Sequence, residues 1–406
     1  MGSRFCLLLL LLALNIGCRA DLSSETVYLT WQKDPSTTMT IQWISLLANV
    51  DDAILLQQEG SEEWKEIPGS HMTFPKTTHL LLHQVEITGL QPNTPYRFKL
   101  PKSQQELRFK TMPNKQEDVP IRFVVGGDMY HDGINFLKAT SNQAAKQNPH
   151  FAIVGGDIAY AIEGKEDPER VGRWIEWLQA WNATMKDQSG RMIPVIAAIG
   201  NHDLVGHFQQ TPAQAQVFRA LFPRPNGLTY TVLDFGNYLS VVLLDSGHAA
   251  EVGGKQSSWL DTILKERQGV TNRIAIYHVP AYPSIRAFDN QWSSAVRRNW
   301  VPIFEKQGIQ LAFEHHDHAY KRTHPLFQNK VAAKGVVYFG DGGWGVEEPR
   351  KPKNRDKRFY LAKFASVRYF ILVTLSEEGK KVMSIDDRGQ LIDSYSSSNK
   401  LLPLSQ

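Results

Sequence analysis

Five apolar runs in this sequence each end directly in side chains that can bind a metal ion. Carboxylates provide anionic oxygen, asparagine provides a neutral oxygen, and imidazole provides a nitrogen ligand suited to Fe, Zn or Mn. The polar ends are Gly126-Gly127-Asp128, Gly155-Gly156-Asp157, Gly200-Asn201-His202-Asp203, His278, and His315-His316-Asp317-His318. One Gly-Gly-Asp after an apolar run is usually only a turn, so the prediction of a metal centre depends on all five occurring together.

The combination of ligands predicts two cations rather than one. A protein that holds two cations about 3.5–4 Å apart needs an anionic ligand that both cations share. Asp157 is the predicted bridge, because a carboxylate at a glycine-flanked strand end can approach both ions. The glycines before Asp128 and Asp157 are predicted to let the backbone bend where a side chain would obstruct a substrate.

The hydrophobic pattern beyond about residue 119 predicts the elements that position these residues. Apolar runs suited to buried strands alternate with amphipathic stretches at 134–147 and 169–185, which indicates an α/β domain. The runs cover 121–125, 151–154, 193–199, 238–244, 273–277, 310–313 and 336–339, and antiparallel strands are predicted at 369–375, 381–385 and 390–394. Because ligands bind at the carboxyl ends of strands in such sheets, the five polar ends are expected to meet in one crevice. Asp245 and Asp341 are interpreted as structural turn residues.

Residues 25–111 have a different pattern, that of an all-β sandwich. Short strands are predicted at 26–31, 39–44, 54–57, 80–87 and 96–100, separated by turn-forming segments. The segment from Leu90 to Tyr96 resembles the tyrosine corner of fibronectin type III domains, in which a tyrosine bonds back to the preceding turn. With a polar linker at 113–118, the predicted domains are a fibronectin III-like sandwich at 21–113 and the α/β domain at 119–400.

The ordered set of five blocks is similar to the signature of the calcineurin-like metallophosphoesterases. Tyr160, three residues after Asp157, narrows the resemblance to the purple acid phosphatases, whose larger members also have an N-terminal fibronectin-like domain. The resemblance implies that the α/β domain is a ββ sandwich flanked by helices. It also implies a ferric ion held by Asp128, Asp157, Tyr160 and His318, and a divalent Fe, Zn or Mn ion held by Asp157, Asn201, His278 and His316.

The same resemblance gives His202 a role without a metal bond, in which it contacts the phosphate and protonates the leaving alkoxide. Two positions depart from the family pattern, because His315 replaces a glycine and Lys321 replaces a glutamate. These changes put the orientation of the ligands in question, although the ligands themselves are present. Residues 280–284 also lack the additional substrate-contacting histidines of plant members.

These residues predict an acid phosphatase in which a metal-bound hydroxide attacks a phosphate monoester in line while His202 assists. A phosphodiesterase or pyrophosphatase of the same superfamily is one alternative. A non-catalytic binding or adhesion protein that uses the first domain is another, and the intact ligands in all five blocks argue against it.

The N-terminus predicts export of the chain. Arg4 precedes an apolar run at 7–12, so residues 1–20 are interpreted as a signal peptide and the mature chain as secreted or periplasmic. Cleavage after Ala20 and lipid attachment at Cys18 both remain open. Cys6 and Cys18 are the only cysteines, so no disulfide is expected in the mature chain. No later run is long enough to span a membrane.

Charge and composition restrict the partners of the protein. Lys and Arg total 45 and Asp and Glu total 41, so the net charge is +4 and falls to +2 without residues 1–20. This near balance argues against a nucleic-acid partner. The predicted partner is a phosphate ester substrate, and the oligomeric state is left open.

Overall fold

The computed structural model of the protein describes residues 22–116, 120–352 and 358–398. The predicted signal peptide, its cleavage site and Cys18 lie outside these residues, as does part of the predicted linker. The domain boundaries at 113 and 119 therefore remain predictions. Among the described helices, none combines the length and the apolar character that a membrane span requires.

A short helix and two antiparallel sheets form the N-terminal part. The sheets have the strand orders β1-β2-β6-β5 and β4-β3-β7-β8, and apolar side chains of both, such as Trp43 and Phe98, belong to one buried cluster. This confirms the all-β sandwich. The elements are α1 (Leu22–Thr26), β1 (Tyr28–Thr30), β2 (Met39–Leu46), β3 (Ile54–Gln58), β4 (Lys65–Ile67), β5 (Ser70–Thr73), β6 (Leu80–Ile87), β7 (Pro95–Lys99) and β8 (Leu107–Lys110).

The predicted tyrosine corner is present, because the backbone N–H of Gln91 donates to the hydroxyl oxygen of Tyr96 at 2.9 Å. The first strand begins later than predicted, at Tyr28, because Thr26 ends the helix α1. The hydroxyl of Thr26 donates to the carbonyl of Leu22 at 2.7 Å, which stabilises a helical turn there.

Two larger sheets form the second part, with the orders β11-β10-β9-β21-β22-β23 and β12-β13-β14-β15-β19-β16-β20. The strands of the first are β9 (Ile121–Gly126), β10 (Phe151–Gly155), β11 (Val195–Ala198), β21 (Tyr369–Leu375), β22 (Gly379–Asp386) and β23 (Leu391–Ser398). Those of the second are β12 (Thr231–Phe235), β13 (Leu239–Leu243), β14 (Asn272–Ile276), β15 (Leu311–Glu314), β16 (Tyr320–Thr323), β19 (Val337–Gly340) and β20 (Leu361–Ala365). A separate ribbon pairs β17 (Leu326–Phe327) with β18 (Lys330–Val331).

The two sheets pack against each other and are covered by helices on their outer faces. One buried cluster joins side chains of both sheets, such as Ile153 and Ile276. A second cluster packs α2 (Ile134–Ala145), α3 (Val171–Thr184) and α4 (Gln216–Leu221) on the first sheet, and a third packs α5 (Gly254–Glu266), α6 (Gln291–Asn299) and α7 (Val301–Gln307) on the other. This arrangement confirms the predicted ββ sandwich flanked by helices.

Strand direction is what positions the site. Strands β9, β10 and β11 are parallel, as are β13, β14, β15 and β19, so their carboxyl ends lie at the same edges of their sheets. The last strands, β21 to β23, pair antiparallel as predicted.

Aromatic residues join the two parts of the chain. Trp31 packs edge-on against Phe151 and Phe235, with ring centroids 6.0 Å and 5.8 Å apart. The hydroxyl of Tyr28 donates to the carbonyl of Leu221 at 2.7 Å. The first domain therefore shares a buried interface with the second.

Candidate metal centre

The structure brings together all seven predicted metal ligands at the carboxyl ends of the parallel strands. The ligands after the first sheet are Asp128 following β9, Asp157 and Tyr160 following β10, and Asn201 following β11. The ligands after the second sheet are His278 following β14, and His316 and His318 following β15. Both sheets therefore contribute side chains to one buried site.

Three of these side chains surround one atom of a fourth, Nε2 of His278. This nitrogen lies 3.1 Å from Oδ2 of Asp157, 3.1 Å from Oδ1 of Asn201 and 3.0 Å from Nδ1 of His316. The other ring nitrogen, Nδ1, lies 3.0 Å from the carbonyl oxygen of Gly155, to which it donates its proton. The group thus presents two oxygens and two nitrogens to one small volume.

As long as His278 is neutral, the protons available in this group do not satisfy its lone pairs. A neutral His278 that donates from Nδ1 has a bare lone pair on Nε2. If His316 donates its proton to Nε2 of His278, the oxygens of Asp157 and Asn201 still face Nε2 with no proton between them. Oδ2 of Asp157 is buried and has no hydrogen-bond partner among the described residues. A cation fits this arrangement, because buried polar atoms left unpaired are unfavourable.

The pKa of His278 reflects the same need for positive charge. Burial lowers this pKa, but the carboxylate of Asp157, with a smaller contribution from Asp128, raises it to about 9. The carboxylates thus stabilise a proton at the position where the ligand atoms converge. A metal ion would replace that proton.

The remaining predicted ligands form a second group next to the first. The hydroxyl of Tyr160 donates to Oδ1 of Asp128 at 2.8 Å, and Nε2 of His318 lies 3.0 Å from both oxygens. Burial, followed by the charge of Asp128, raises the pKa of Tyr160 well above its usual value. The phenol therefore keeps its proton unless a strongly charged cation displaces it.

Backbone contacts link the two groups. The N–H of His316 donates to Oδ2 of Asp128 at 3.0 Å, so a ligand of the first group is positioned by a ligand of the second.

Five of the seven predicted ligands also have positive φ, in the left-handed region that costs a non-glycine residue about 1–3 kcal/mol. These are Asp128 (56°), Asp157 (53°), Tyr160 (47°), His316 (81°) and His318 (60°). Such strain is concentrated at functional sites in proteins.

The glycines before the two aspartates have a different role from the predicted one. Only Gly156, at φ 94°, provides the sharp bend. A Cβ atom on Gly127 or Gly155 would overlap the imidazole of His315, and one on Gly126 would overlap the indole of Trp344. These glycines therefore make room for side chains of the protein rather than for a substrate.

His315, the first departure from the family pattern, is fully buried between the glycines of the two strands. Neither of its ring nitrogens has a hydrogen-bond partner among the described residues. Burial lowers the pKa of His315 to about 3, so the ring is neutral. It fills space beneath the ligands without contributing to them.

Lys321, the second departure, belongs to a buried ion group with Glu314 and Asp341. Its ammonium contacts the carboxylate of Glu314 and lies 3.5 Å from Oδ1 of Asp341. The interpretation of Asp341 as a turn residue was therefore incomplete. The same carboxylates accept the backbone N–H groups of Ala281 at 2.7 Å and Ser284 at 2.8 Å, so this group holds the loop that follows His278.

Asp203 is a residue of the third block to which the sequence alone assigned no role. Its carboxylate accepts the N–H groups of Asp157 and Ile158, both at 2.9 Å, and that of Gly200 at 2.8 Å. It thus fixes the loops that present Asp157 and Asn201.

Asp245 caps its own turn in a similar way, as predicted, and accepts the N–H of His248 at 2.7 Å.

His202 is half-buried beside the two ligand groups. Its Nδ1 lies 2.5 Å from the carbonyl oxygen of Ile162, and its backbone N–H donates to Oδ1 of Asp157 at 2.7 Å. The ring stacks on that of Tyr160 with centroids 4.5 Å apart. Because Nδ1 donates to a carbonyl, Nε2 is the nitrogen left for other chemistry.

Aromatic side chains that the sequence analysis did not identify border the site. Phe208 stacks on Trp292 with centroids 4.4 Å apart and an interplanar angle of 15°. The Phe208 ring also lies edge-on to that of His316 at 6.3 Å. The ring of His131 lies 4.5 Å from that of His318, and its Nδ1 is 2.6 Å from Oδ2 of Asp132.

Comparisons with known proteins agree with this geometry. Residues 121–320 match the family described as "Calcineurin-like phosphoesterase", and residues 24–111 match "Purple acid Phosphatase, N-terminal domain". The fold and the site define a calcineurin-like phosphoesterase. The match of the N-terminal domain identifies one family within this class, and the chain belongs to the purple acid phosphatase family.

Individual relatives are distant in sequence. The chain is 28% identical over 285 residues to "Probable purple acid phosphatase 20" of Arabidopsis thaliana, covering 68% of this chain and 63% of the relative. It is 25% identical over 385 residues to "Acid phosphatase type 7" of Mus musculus, covering 83% and 82%. A purple acid phosphatase from yellow lupin (Lupinus luteus) seeds has the same fold, with a TM-score of 0.76, 16% identity and coverage of 92% of this chain and 74% of the lupin chain.

The lengths of the relatives differ from that of this chain. It spans 63% of the length of the plant relative Probable purple acid phosphatase 20 and 54% of the length of purple acid phosphatase 15.

Proposed function

We propose that this protein is an acid phosphatase that hydrolyses phosphate monoesters at a dinuclear centre of Fe(III) and a divalent Fe, Zn or Mn ion. The observation that carries the proposal is the convergence of Asp157, Asn201, His278 and His316 on one buried volume, where Oδ2 of Asp157 has no hydrogen-bond partner among the described residues. The adjacent group of Asp128, Tyr160 and His318 supports a second cation. Two bound cations would neutralise the phosphate and lower the pKa of a nucleophilic water.

The residues of the chain supply the remaining functions. Asp157 is proposed to lie between the cations, since its two oxygens point to different neighbours, Oδ1 to the N–H of His202 and Oδ2 to His278. His202 is proposed to use Nε2 toward the leaving oxygen, because the carbonyl of Ile162 occupies Nδ1. The ion group of Lys321, Glu314 and Asp341 keeps the loop after His278 in place.

The proposal is tested by metal analysis of the purified protein together with turnover of model substrates. We expect two metal ions per chain, at least one of them iron, and faster hydrolysis of an aryl monoester than of the matching diester. Faster diester or pyrophosphate turnover would favour the alternative substrates within the superfamily. Two metal ions with no hydrolysis of any of these would favour a non-catalytic protein.

Tyr160 provides a direct test of the ferric site. A phenolate is a strong ligand for a hard ferric ion, and charge transfer between them absorbs visible light. We expect the oxidised protein to be pink to violet and Tyr160→Phe to lose the band. The Phe variant keeps the ring that stacks on His202, so folding and hydrolysis should persist. A band that survives in the variant, or is missing from iron-loaded wild type, would contradict the assignment.

Phe208 and Trp292 are proposed to bind the organic part of the substrate. Both are half-buried, and Phe208 contacts the ring of His316 while Trp292 lines an adjoining cleft of about 340 Å³. Gln209, Gln210 and Asn299 also line this cleft and provide hydrogen-bonding groups. A planar leaving group bound to phosphate on the metals would have an aromatic surface within reach.

Trp292→Ala is therefore expected to raise the KM for an aryl phosphate. Aromatic stacking contributes about 0.5–1.5 kcal/mol, which corresponds to a rise of about 2–10-fold. The kcat should change little, because the indole does not contact the reacting atoms. Glycerol phosphate serves as the control substrate, and an equal rise in its KM would show that the substitution disturbs the phosphate site instead.

Export is proposed from the sequence of residues 1–20, which lie outside the described part of the chain. Mass spectrometry of the mature N-terminus distinguishes the two alternatives. A chain beginning at Asp21 indicates plain cleavage, and an acylated Cys18 indicates a lipoprotein.

A further inference from the structure

A second cluster of metal-ligating side chains lies on the N-terminal sandwich, with its two histidines in the sheet β1-β2-β6-β5. It consists of Asp52, His71 and His83, whose ligand atoms all lie within 4.8 Å of one another. His71 on β5 is the cross-strand partner of His83 on β6, and Asp52 precedes β3. Nδ1 of His71 lies 2.8 Å from Oδ2 of Asp52, and Nδ1 of His83 lies 2.6 Å from Oδ1.

The cluster is closed on one side and open on the other. His83 is fully buried, and its ring stacks on that of Trp43 with centroids 4.8 Å apart and an interplanar angle of 2°. The side chains of His71 and Asp52 are 33% and 19% exposed. A cation bound by the three residues would therefore be anchored on a rigid buried ring and would retain a position for water.

The proton inventory around His83 allows a metal at Nδ1. Nε2 of His83 lies 2.6 Å from Oγ of Ser45, and that hydroxyl oxygen lies 3.2 Å from the carbonyl oxygens of both Leu46 and Asn49. If Ser45 donates to a carbonyl, the single proton of a neutral His83 lies on Nε2. Its Nδ1 then faces Oδ1 of Asp52 as a bare lone pair, and a cation between them would give both of these atoms a partner.

The charge of the cluster also suits a cation, because the carboxylate of Asp52 lies between the two histidines. Asp51 lies close enough to interact electrostatically with His83 and adds a second negative charge.

We propose that Asp52, His71 and His83 form a binding site for a divalent transition-metal ion of the Zn²⁺ class, separate from the dinuclear centre. Nδ1 of each histidine and one oxygen of Asp52 are the ligands, and water completes a tetrahedral site. Ligand atoms around Zn²⁺ lie about 3.3 Å apart, so the 2.6 Å separation of His83 and Asp52 must widen by about 0.7 Å. Asp52 lies outside any strand and can make this movement.

The test uses the full chain with its dinuclear centre already filled, so that additional binding is counted separately. Equilibrium dialysis against Zn²⁺ should give one additional zinc ion per chain in wild type and none in His71→Ala. His79→Ala is the matched control, because His79 is an exposed histidine in the turn between the same two strands, and this variant should bind the additional ion. Phosphatase turnover should be the same in all three proteins.

Two further variants keep the result interpretable. Asp157→Ala should lose metal from the dinuclear centre and still bind zinc at this site. Ser45→Ala removes the partner that orients His83 and should weaken zinc binding by about tenfold. Wild type that binds no more zinc than His71→Ala would overturn the proposal and leave the cluster as a hydrogen-bonded triad.

Discussion

Replacing Asp157 with alanine is expected to remove most bound metal and to abolish nearly all hydrolysis. The substitution deletes both Oδ2, which faces Nε2 of His278 at 3.1 Å, and Oδ1, which accepts the N–H of His202 at 2.7 Å. Two cations without their shared anion would repel each other. Because metal ions contribute several kcal/mol to transition-state stabilisation, the rate should fall by about 10³-fold or more.

Metal content and turnover of purified Asp157→Ala check this expectation, with circular dichroism to confirm folding. Asp245→Asn is the matched control, because Asp245 is also a buried carboxylate that follows a strand, but its oxygens accept backbone N–H groups of its own turn. This variant should lose stability and keep two metal ions per folded chain. Two metal ions and near-normal turnover in Asp157→Ala would show that Asp157 is not the bridge.

The predicted ligands could be found from the sequence because each lies next to an apolar run. Val124-Val125-Gly126-Gly127-Asp128 contains both the strand and the ligand that follows it, so a local pattern predicts the position of the side chain. The rule that parallel strands meet at their carboxyl ends then places distant blocks together. The observed contact between the backbone of His316 and the carboxylate of Asp128, 188 residues apart in the chain, follows from that topology.

Residues whose role depends on long-range pairing could not be found in this way. Lys321 and Glu314 look like surface charges in the sequence, since lysine is almost never fully buried unless it is paired. Only the folded chain shows that the two residues neutralise each other in the interior. The same holds for His315, whose ring is buried because Gly127 and Gly155, from two other parts of the chain, leave room for it.

Strand β5 of the first domain is absent from the strands predicted from the sequence, and the physical reason is similar. β5 has four exposed residues, Ser70–Thr73, and therefore no alternation of apolar and polar side chains. It forms only because it pairs with β6, and that pairing places His71 next to His83. The cluster with Asp52 thus depends on sheet register, which short exposed strands do not specify by pattern.

His202 separates proton transfer from metal binding, and its replacement by alanine should lower turnover without loss of metal. The decrease should be about 10²–10⁴-fold, the usual effect of removing a general acid.

The effect should depend on the leaving group, because an alkoxide needs a proton and a nitrophenolate does not. We therefore expect a large loss with an alkyl phosphate and a much smaller one with 4-nitrophenyl phosphate, measured at equal metal content. Equal losses with both substrates would indicate that His202 binds the phosphate without donating a proton, and loss of metal would make it a ligand. The carbonyl of Ile162, 2.5 Å from Nδ1, holds the proton on that nitrogen, so in the imidazolium form of His202 it is the Nε2 proton that is free to be donated.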